Sequence, residues 1–202
     1  MEGTVPYSLK PLFTALAETF CGPHLIEQCA REALLEAEGE IDGPSDFEHL
    51  PKSFLDVMRK SDAHPVCGLI AQAPFDWVPP TTSGDPLYIK HSIGKVHVEL
   101  LGPDGLVKSE KIRMGLYGLP EHFEYGNRTH PAEEIFVMLA GEAYWSRDNA
   151  PYLLHRPNEV SHHPSMMPHA TATRDVAFMS AYAWCGDLST DNYIYHGRTE
   201  GS

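Results

Sequence analysis

Leu9, Leu12, Phe13, Leu16 and Phe20 recur at the spacing of a single helix face, and Gly22-Pro23 ends that pattern. A second helical run is predicted from 24 to 38, with Leu25, Ile26, Cys29, Ala33 and Leu34 on its apolar side and Gly39 at its close. A third is predicted from Pro51, a residue suited to a first helical turn, to Arg59, burying Phe54, Leu55 and Met58. The texture changes after residue 65. Pro74, Pro79, Pro80, Gly84 and Pro86 break up any helix, and residues 96–100 alternate as a half-buried strand does. Short strand-like runs follow at 111–117, 134–140, 143–146, 159–161, 170–173 and 176–184, separated by Gly, Pro, Asn and Asp clusters. Such spacing, with no helical pattern between the runs, predicts an antiparallel sandwich or barrel. Residues 1–62 therefore form a helical extension and 63–202 a β-barrel. Too few large apolar side chains lie in the extension for a core of its own, so the two are expected to make one structural unit.

Composition narrows the partners. The chain has 202 residues, 42% hydrophobic and 21% charged, with a formal charge of −13. That balance argues against nucleic acid or an anionic membrane surface, each of which selects a basic face, and leaves a small molecule as the expected partner of a monomer or homodimer. No apolar run approaches the roughly 18 to 20 residues of a spanning helix, and MEGTVPYSLK lacks the basic start and apolar core of a signal peptide. A soluble, cytoplasmic protein is expected. Cys21, Cys29, Cys67 and Cys185 show no CxxC spacing, so buried free thiols are expected rather than disulfides or a thiolate zinc site. Histidine is the unusual residue: of 12, seven (His122, His130, His155, His162, His163, His169 and His196) follow position 120. Neutral imidazole is the commonest metal ligand, which directs attention to the C-terminal half.

Within it, the stretch from His130 to Gly141 is the most informative. If it is one strand, His130, Glu134, Phe136 and Met138 share a face while Ile135, Val137 and Leu139 share the other, so an imidazole and a carboxylate converge. Glu133 points away. A second stretch runs from His162 to Thr171, where Pro168 ends a turn and His169 opens a strand. The adjacent His162 and His163 face opposite ways, so at most one reaches a shared site.

These residues carry a resemblance. His130-x3-Glu134-x6-Gly141 is similar to the first motif of the cupin superfamily, and Pro164-x3-Pro168-His169 resembles the second. The resemblance implies a double-stranded β-helix barrel with the N-terminal helices packed on it, and one divalent metal (zinc, iron, manganese, cobalt or nickel) held by His130, Glu134 and His169. Where many cupins have a further histidine, this chain has Arg128. The runs His130–Glu134, His163–Ala170 and Trp184–Leu188 further resemble bacterial cupin lyases of dimethylsulfoniopropionate of the DddQ type. Such enzymes form dimethyl sulfide and acrylate by β-elimination. The family tyrosine two residues beyond the metal-binding glutamate is replaced by Phe136, which offers no proton acceptor. The resemblance therefore places the base at Tyr125, with Tyr144, Tyr152 and Tyr182 as weaker candidates and His163 as the non-phenolic one. Phe136 and Trp184 are read as lining the substrate, the indole facing a cationic sulfonium. Arg128 is either a surface residue or the partner of a substrate carboxylate. Two other classes stay open: a metal cupin enzyme acting on another small carboxylate, and a cupin that binds a small molecule without catalysis.

Overall fold

Apolar residues on both sides of one strand mean that it lies between two packed layers, and this is the arrangement of Glu133–Gly141. The computed structural model describes residues 6–42 and 49–198. Its helices are α1 Lys10–Ala17, α2 Leu25–Glu36, α3 Lys52–Met58, α4 Cys67–Ile70 and α5 Pro86–Lys90. The strands begin with β1 Tyr7–Ser8, β2 Glu40–Ile41, β3 Val96–Gly102, β4 Val107–Lys108, β5 Arg113–Leu119 and β6 Glu124–Thr129. They continue with β7 Glu133–Gly141, β8 Ala143–Arg147, β9 Leu153–His155, β10 Val160–His163, β11 His169–Ala172, β12 Phe178–Cys185 and β13 Ile194–Gly197.

One sheet has the order β10-β7-β12-β5-β3-β4 and the other β13-β6-β11-β8-β9, while β1 and β2 form a short ribbon beside the helices. Pairing is antiparallel throughout except between β3 and β4. The result is a mainly β barrel, with the helices on one side of it.

Strand parity divides the interior in two. Ile135, Val137 and Leu139 of β7 face out and join Leu12, Phe13, Leu16, Ile26 and Phe54 in one apolar cluster. Phe136 and Met138 face in and join Tyr125, Trp145, Phe178 and Tyr182 in another. β12 repeats the division, and its outward residues Ala181 and Ala183 are small, which lets α2 and α3 pack against that strand.

Several elements differ from expectation. Leu25 is 78% exposed and Cys29 is also exposed, because the buried stripe of α2 runs through Ile26, Ala30 and Leu34. Glu27 is buried on the same helix, accepting hydrogen bonds from the backbone N–H of Gly22 (3.0 Å) and His24 (3.2 Å). In α3 the third buried residue is Val57, and Leu55 is half-buried. Pro86 begins α5 rather than breaking a helix: its missing N–H falls where a helix leaves donors unpaired, and Asp85 Oδ1 caps Leu87 N at 2.7 Å and Tyr88 N at 3.0 Å. Of the thiols, only Cys67 is buried; Cys21 and Cys29 are exposed and Cys185 is half-buried. Strands β6, β9 and β13 were not among the expected runs. β6 has the polar look of a loop (EYGNRT), yet it is almost wholly covered between β11 and β13.

Candidate metal centre

Glu134 is the hub of the barrel interior. In the ladders on either side of β7, its register partners are His163 of β10 and Trp184 of β12. Opposed residues in an antiparallel pair project to the same face, so all three side chains enter the barrel together. Trp184 donates its indole N–H to Glu134 Oε1 at 2.5 Å. The other oxygen, Oε2, lies 3.3 Å from His163 Nδ1 and 3.0 Å from Nε2 of His169, which comes from the opposite sheet. His130 adds its Nε2 at 3.3 Å from Oε2. It stands in the β6–β7 link rather than within a continuous strand, since β7 starts at Glu133. His163 stacks on His169 at 4.2 Å and His130 on Trp184 at 4.2 Å. His162 turns outward, with Nε2 2.7 Å from Glu133 and its ring 4.1 Å from that of His24 on the helical side.

The proton inventory shows that these residues fit a cation. His130 Nδ1 is 3.1 Å from the Ala132 carbonyl and His169 Nδ1 is 2.8 Å from that of Met167, contacts that require N–H at Nδ1. A neutral ring then turns the lone pair of Nε2 toward Glu134 Oε2. Burial, with Arg128 and His163 beside it, pushes the His169 pKa well below the usual histidine value, so its doubly protonated form is disfavoured. Among the described residues His169 Nε2 accordingly has no hydrogen-bond partner although it is buried. Two lone pairs aimed at an anion repel; one cation among them turns repulsion into coordination. The ligand atoms of His130, Glu134 and His169 all lie within 4.8 Å of one another, a two-histidine, one-carboxylate set that leaves coordination positions open.

Beside this cluster opens a cavity of about 460 Å³, its mouth included, whose walls include Tyr125, Arg128, Phe136, Tyr182 and Trp184. His163 is not among its walls; its Nε2 is held by Ser161 Oγ at 2.8 Å. Arg128 is buried, not a surface residue, and among the described residues it has no acidic partner within ion-pair reach. Its guanidinium lies 4.0 Å from the centre of the Tyr125 ring. The Tyr125 hydroxyl hydrogen-bonds that of Tyr193. Burial, with Tyr193 and Tyr88 nearby, pushes the Tyr125 pKa well above the usual phenol value, and Arg128 opposes the rise. Tyr182 lines the cavity with its hydroxyl 2.8 Å from His97 Nε2, whereas Tyr144 and Tyr152 are not on its walls.

Three interior residues escaped the sequence reading. Tyr117 follows from the same parity that separates Phe136 from Ile135, because Met114 and Leu116 of β5 face the helices while Tyr117 and Leu119 face inward. Tyr193 sits in the approach to β13, an unexpected strand. Lys95 is 1% exposed, with Nζ 3.1 Å from the centre of the Tyr125 ring and 3.0 Å from Ser92 Oγ. A lysine ahead of a strand carries no signal of burial.

Two antiparallel sheets closed about a buried histidine–carboxylate cluster define a β-barrel protein with a metal-type centre. Residues 80–180, half of the chain, match the family model for dimethylsulfoniopropionate lyase, and the chain belongs to that family. Over 91 residues it is 38% identical to the dimethylsulfoniopropionate lyase DddQ of Ruegeria pomeroyi, an alignment that spans 45% of each chain. The crystal structure of that DddQ superposes with a TM-score of 0.63 at 24% identity, covering 92% of this chain and 96% of the other. A chain from the crystal structures of the lyases RdDddP and RnDddQII gives 0.65 at 20% identity, with the same coverages. None of the described helices is long and apolar enough to cross a membrane.

Proposed function

We propose that the protein cleaves dimethylsulfoniopropionate to dimethyl sulfide and acrylate by β-elimination. The observation that carries this reading is the meeting of two environments at Glu134: it belongs to the histidine–carboxylate centre and also lines a cavity with aromatic walls and a buried arginine that has no acidic partner among the described residues. The substrate is a carboxylate with a sulfonium on its β-carbon, so it presents both charges that such a cavity accommodates.

His130, Glu134 and His169 would hold one divalent metal, with zinc, iron, manganese, cobalt and nickel all suited to the donors. When bound there, it supplies a Lewis acid that stabilises charge developing on the substrate carboxylate. Tyr125 is the base in this reading. It takes the proton from the carbon next to the carboxylate, a double bond forms to the β-carbon, and the carbon–sulfur bond breaks to release a neutral sulfide. Arg128 against the ring favours the phenolate, and the Tyr193 hydroxyl donates to it. Phe136, Tyr182 and Trp184 receive the sulfonium on their faces and exclude water from it. His163 faces Glu134 rather than the cavity, so its proposed role changes from base to holding the carboxylate in orientation. Exposed free thiols at Cys21 and Cys29 suit a reducing, cytoplasmic compartment.

The test is headspace detection of dimethyl sulfide from purified protein loaded in turn with each metal. Release that requires metal and disappears in Glu134→Ala supports the reading. Phe136 favours one alternative, a metal cupin acting on another small carboxylate, because the family's phenol is missing there. No sulfide with any metal, while the metal itself is retained, would select that alternative.

A further inference from the structure

Tyr117 Oη and Arg128 Nη2 are buried and have no hydrogen-bond partner among the described residues. Both residues line the cavity, 4% and 2% exposed respectively. The third cavity residue with an unpartnered polar atom, Arg113, is already neutralised by Glu99 at 2.8 Å and Asp104 at 3.1 Å. Tyr117 and Arg128 have no such compensation. They come from opposite sheets, β5 and β6, and flank one ring: the Tyr117 and Tyr125 ring centres are 6.0 Å apart, and Arg128 Cζ is 4.0 Å from the Tyr125 centre. The Tyr125 and Tyr193 hydroxyls are paired with each other and that of Tyr182 with His97, so among these four phenols Tyr117 alone has a hydroxyl without a hydrogen-bond partner. Arg128 Nη1 reaches the His169 carbonyl at 3.5 Å, but a buried cation with no counter-charge and a buried hydroxyl with no hydrogen bond each destabilise the fold, and such groups persist where a ligand uses them.

We propose that Tyr117 and Arg128 form a carboxylate-binding pair, a hold on the substrate that does not depend on the metal. Both are donors, and the ligand must accept from each and carry negative charge. The surrounding walls are aromatic and the cavity is small, which selects a short-chain monocarboxylate: acrylate, or its β-onium precursor if the lyase reading on which this identification rests is right. Tyr117 packs on Phe136 with ring centres 5.7 Å apart. The ring that carries the unpartnered hydroxyl is thus in contact with the position that lacks the family's phenol.

The experiment is calorimetric titration of the full chain with acrylate and with its neutral isostere acrylamide, before and after chelation of metal. Tyr117→Phe and Arg128→Met should each weaken acrylate roughly tenfold or more, with and without metal, and leave acrylamide unchanged. Tyr117→Phe should also melt no lower than the parent, since it removes a hydroxyl that bonds nothing in the free protein. If Arg128→Met does not fold, the Tyr117→Phe comparison decides alone. Equal acrylate affinity in parent and Tyr117→Phe, or binding abolished by chelation alone, would overturn the pair. Sulfide release by a protein whose acrylate affinity ignores both substitutions defeats the pair and spares the lyase reading. Acrylate binding that depends on both residues in a protein that releases no sulfide does the reverse.

Discussion

Trp184 stands opposite Glu134 across the β7–β12 ladder and gives its indole N–H to Oε1, leaving Oε2 to the three imidazoles. The bond fixes which oxygen of the carboxylate faces the histidines. Trp184→Phe keeps a ring in the stack on His130 but removes the donor. Metal affinity measured by competition with a chelator should fall about 10- to 100-fold, the usual effect of losing an outer hydrogen-bond partner. Unchanged affinity would mean that the histidines orient Glu134 without help.

His130→Ala, Glu134→Ala and His169→Ala should each purify without metal, while His163→Gln should retain it with reduced affinity. Elemental analysis of the four proteins gives the answer. Full occupancy in Glu134→Ala would remove the centre from this cluster.

For turnover, Tyr125→Phe is expected to lower sulfide release by about 10²- to 10⁴-fold, the range for loss of a positioned base. Phe136→Tyr should raise it by restoring a phenol on the inward face of β7. Rates indifferent to both changes would eliminate these phenols and direct the search for the base elsewhere.

Lys95 sets up a pH dependence of stability. Burial, aided by Arg128 and Arg198, pushes its pKa down to about 5 from an ordinary value of 10.5. The unfolded chain then binds the proton between those values and the folded chain does not, so this lysine destabilises the fold increasingly as pH falls from 10.5 toward 5. The slope is about 1.4 kcal/mol per pH unit. Lys95→Met should melt higher than the parent at pH 7, with the gap narrowing toward pH 9.5. A gap constant with pH would show that the ammonium stays charged over the Tyr125 ring.

Removing the helical start should expose the outer face of β7. A chain beginning at Asp62 loses Leu12, Phe13, Leu16, Ile26 and Phe54 from against Ile135, Val137 and Leu139. Each large apolar side chain left uncovered forfeits about 1.5–3 kcal/mol. The shortened protein should be insoluble or melt well below the parent. A cooperative transition at the parental temperature would make the helices dispensable.

Local pattern alone reached α1 to α3 and the strand-rich C-terminal half, because periods of 3.6 and 2 are properties of neighbouring residues, and the cupin spacing paired His130 with Glu134 although His130 lies outside β7; α4 and α5 were missed. Strand β6 escaped because Glu124, Asn127 and Arg128 make a covered strand read as a loop, and covering depends on β11 and β13, which are distant in sequence. Register was equally out of reach. Nothing local specifies that His163 and Trp184 share a row with Glu134, since a shift of one residue in either ladder would turn each side chain to the other face. Nor does composition distinguish the buried Lys95, Tyr117 and Arg128 from their exposed counterparts. Their burial, and with it the character of the cavity, was decided when two sheets closed over residues that a linear pattern assigns to solvent.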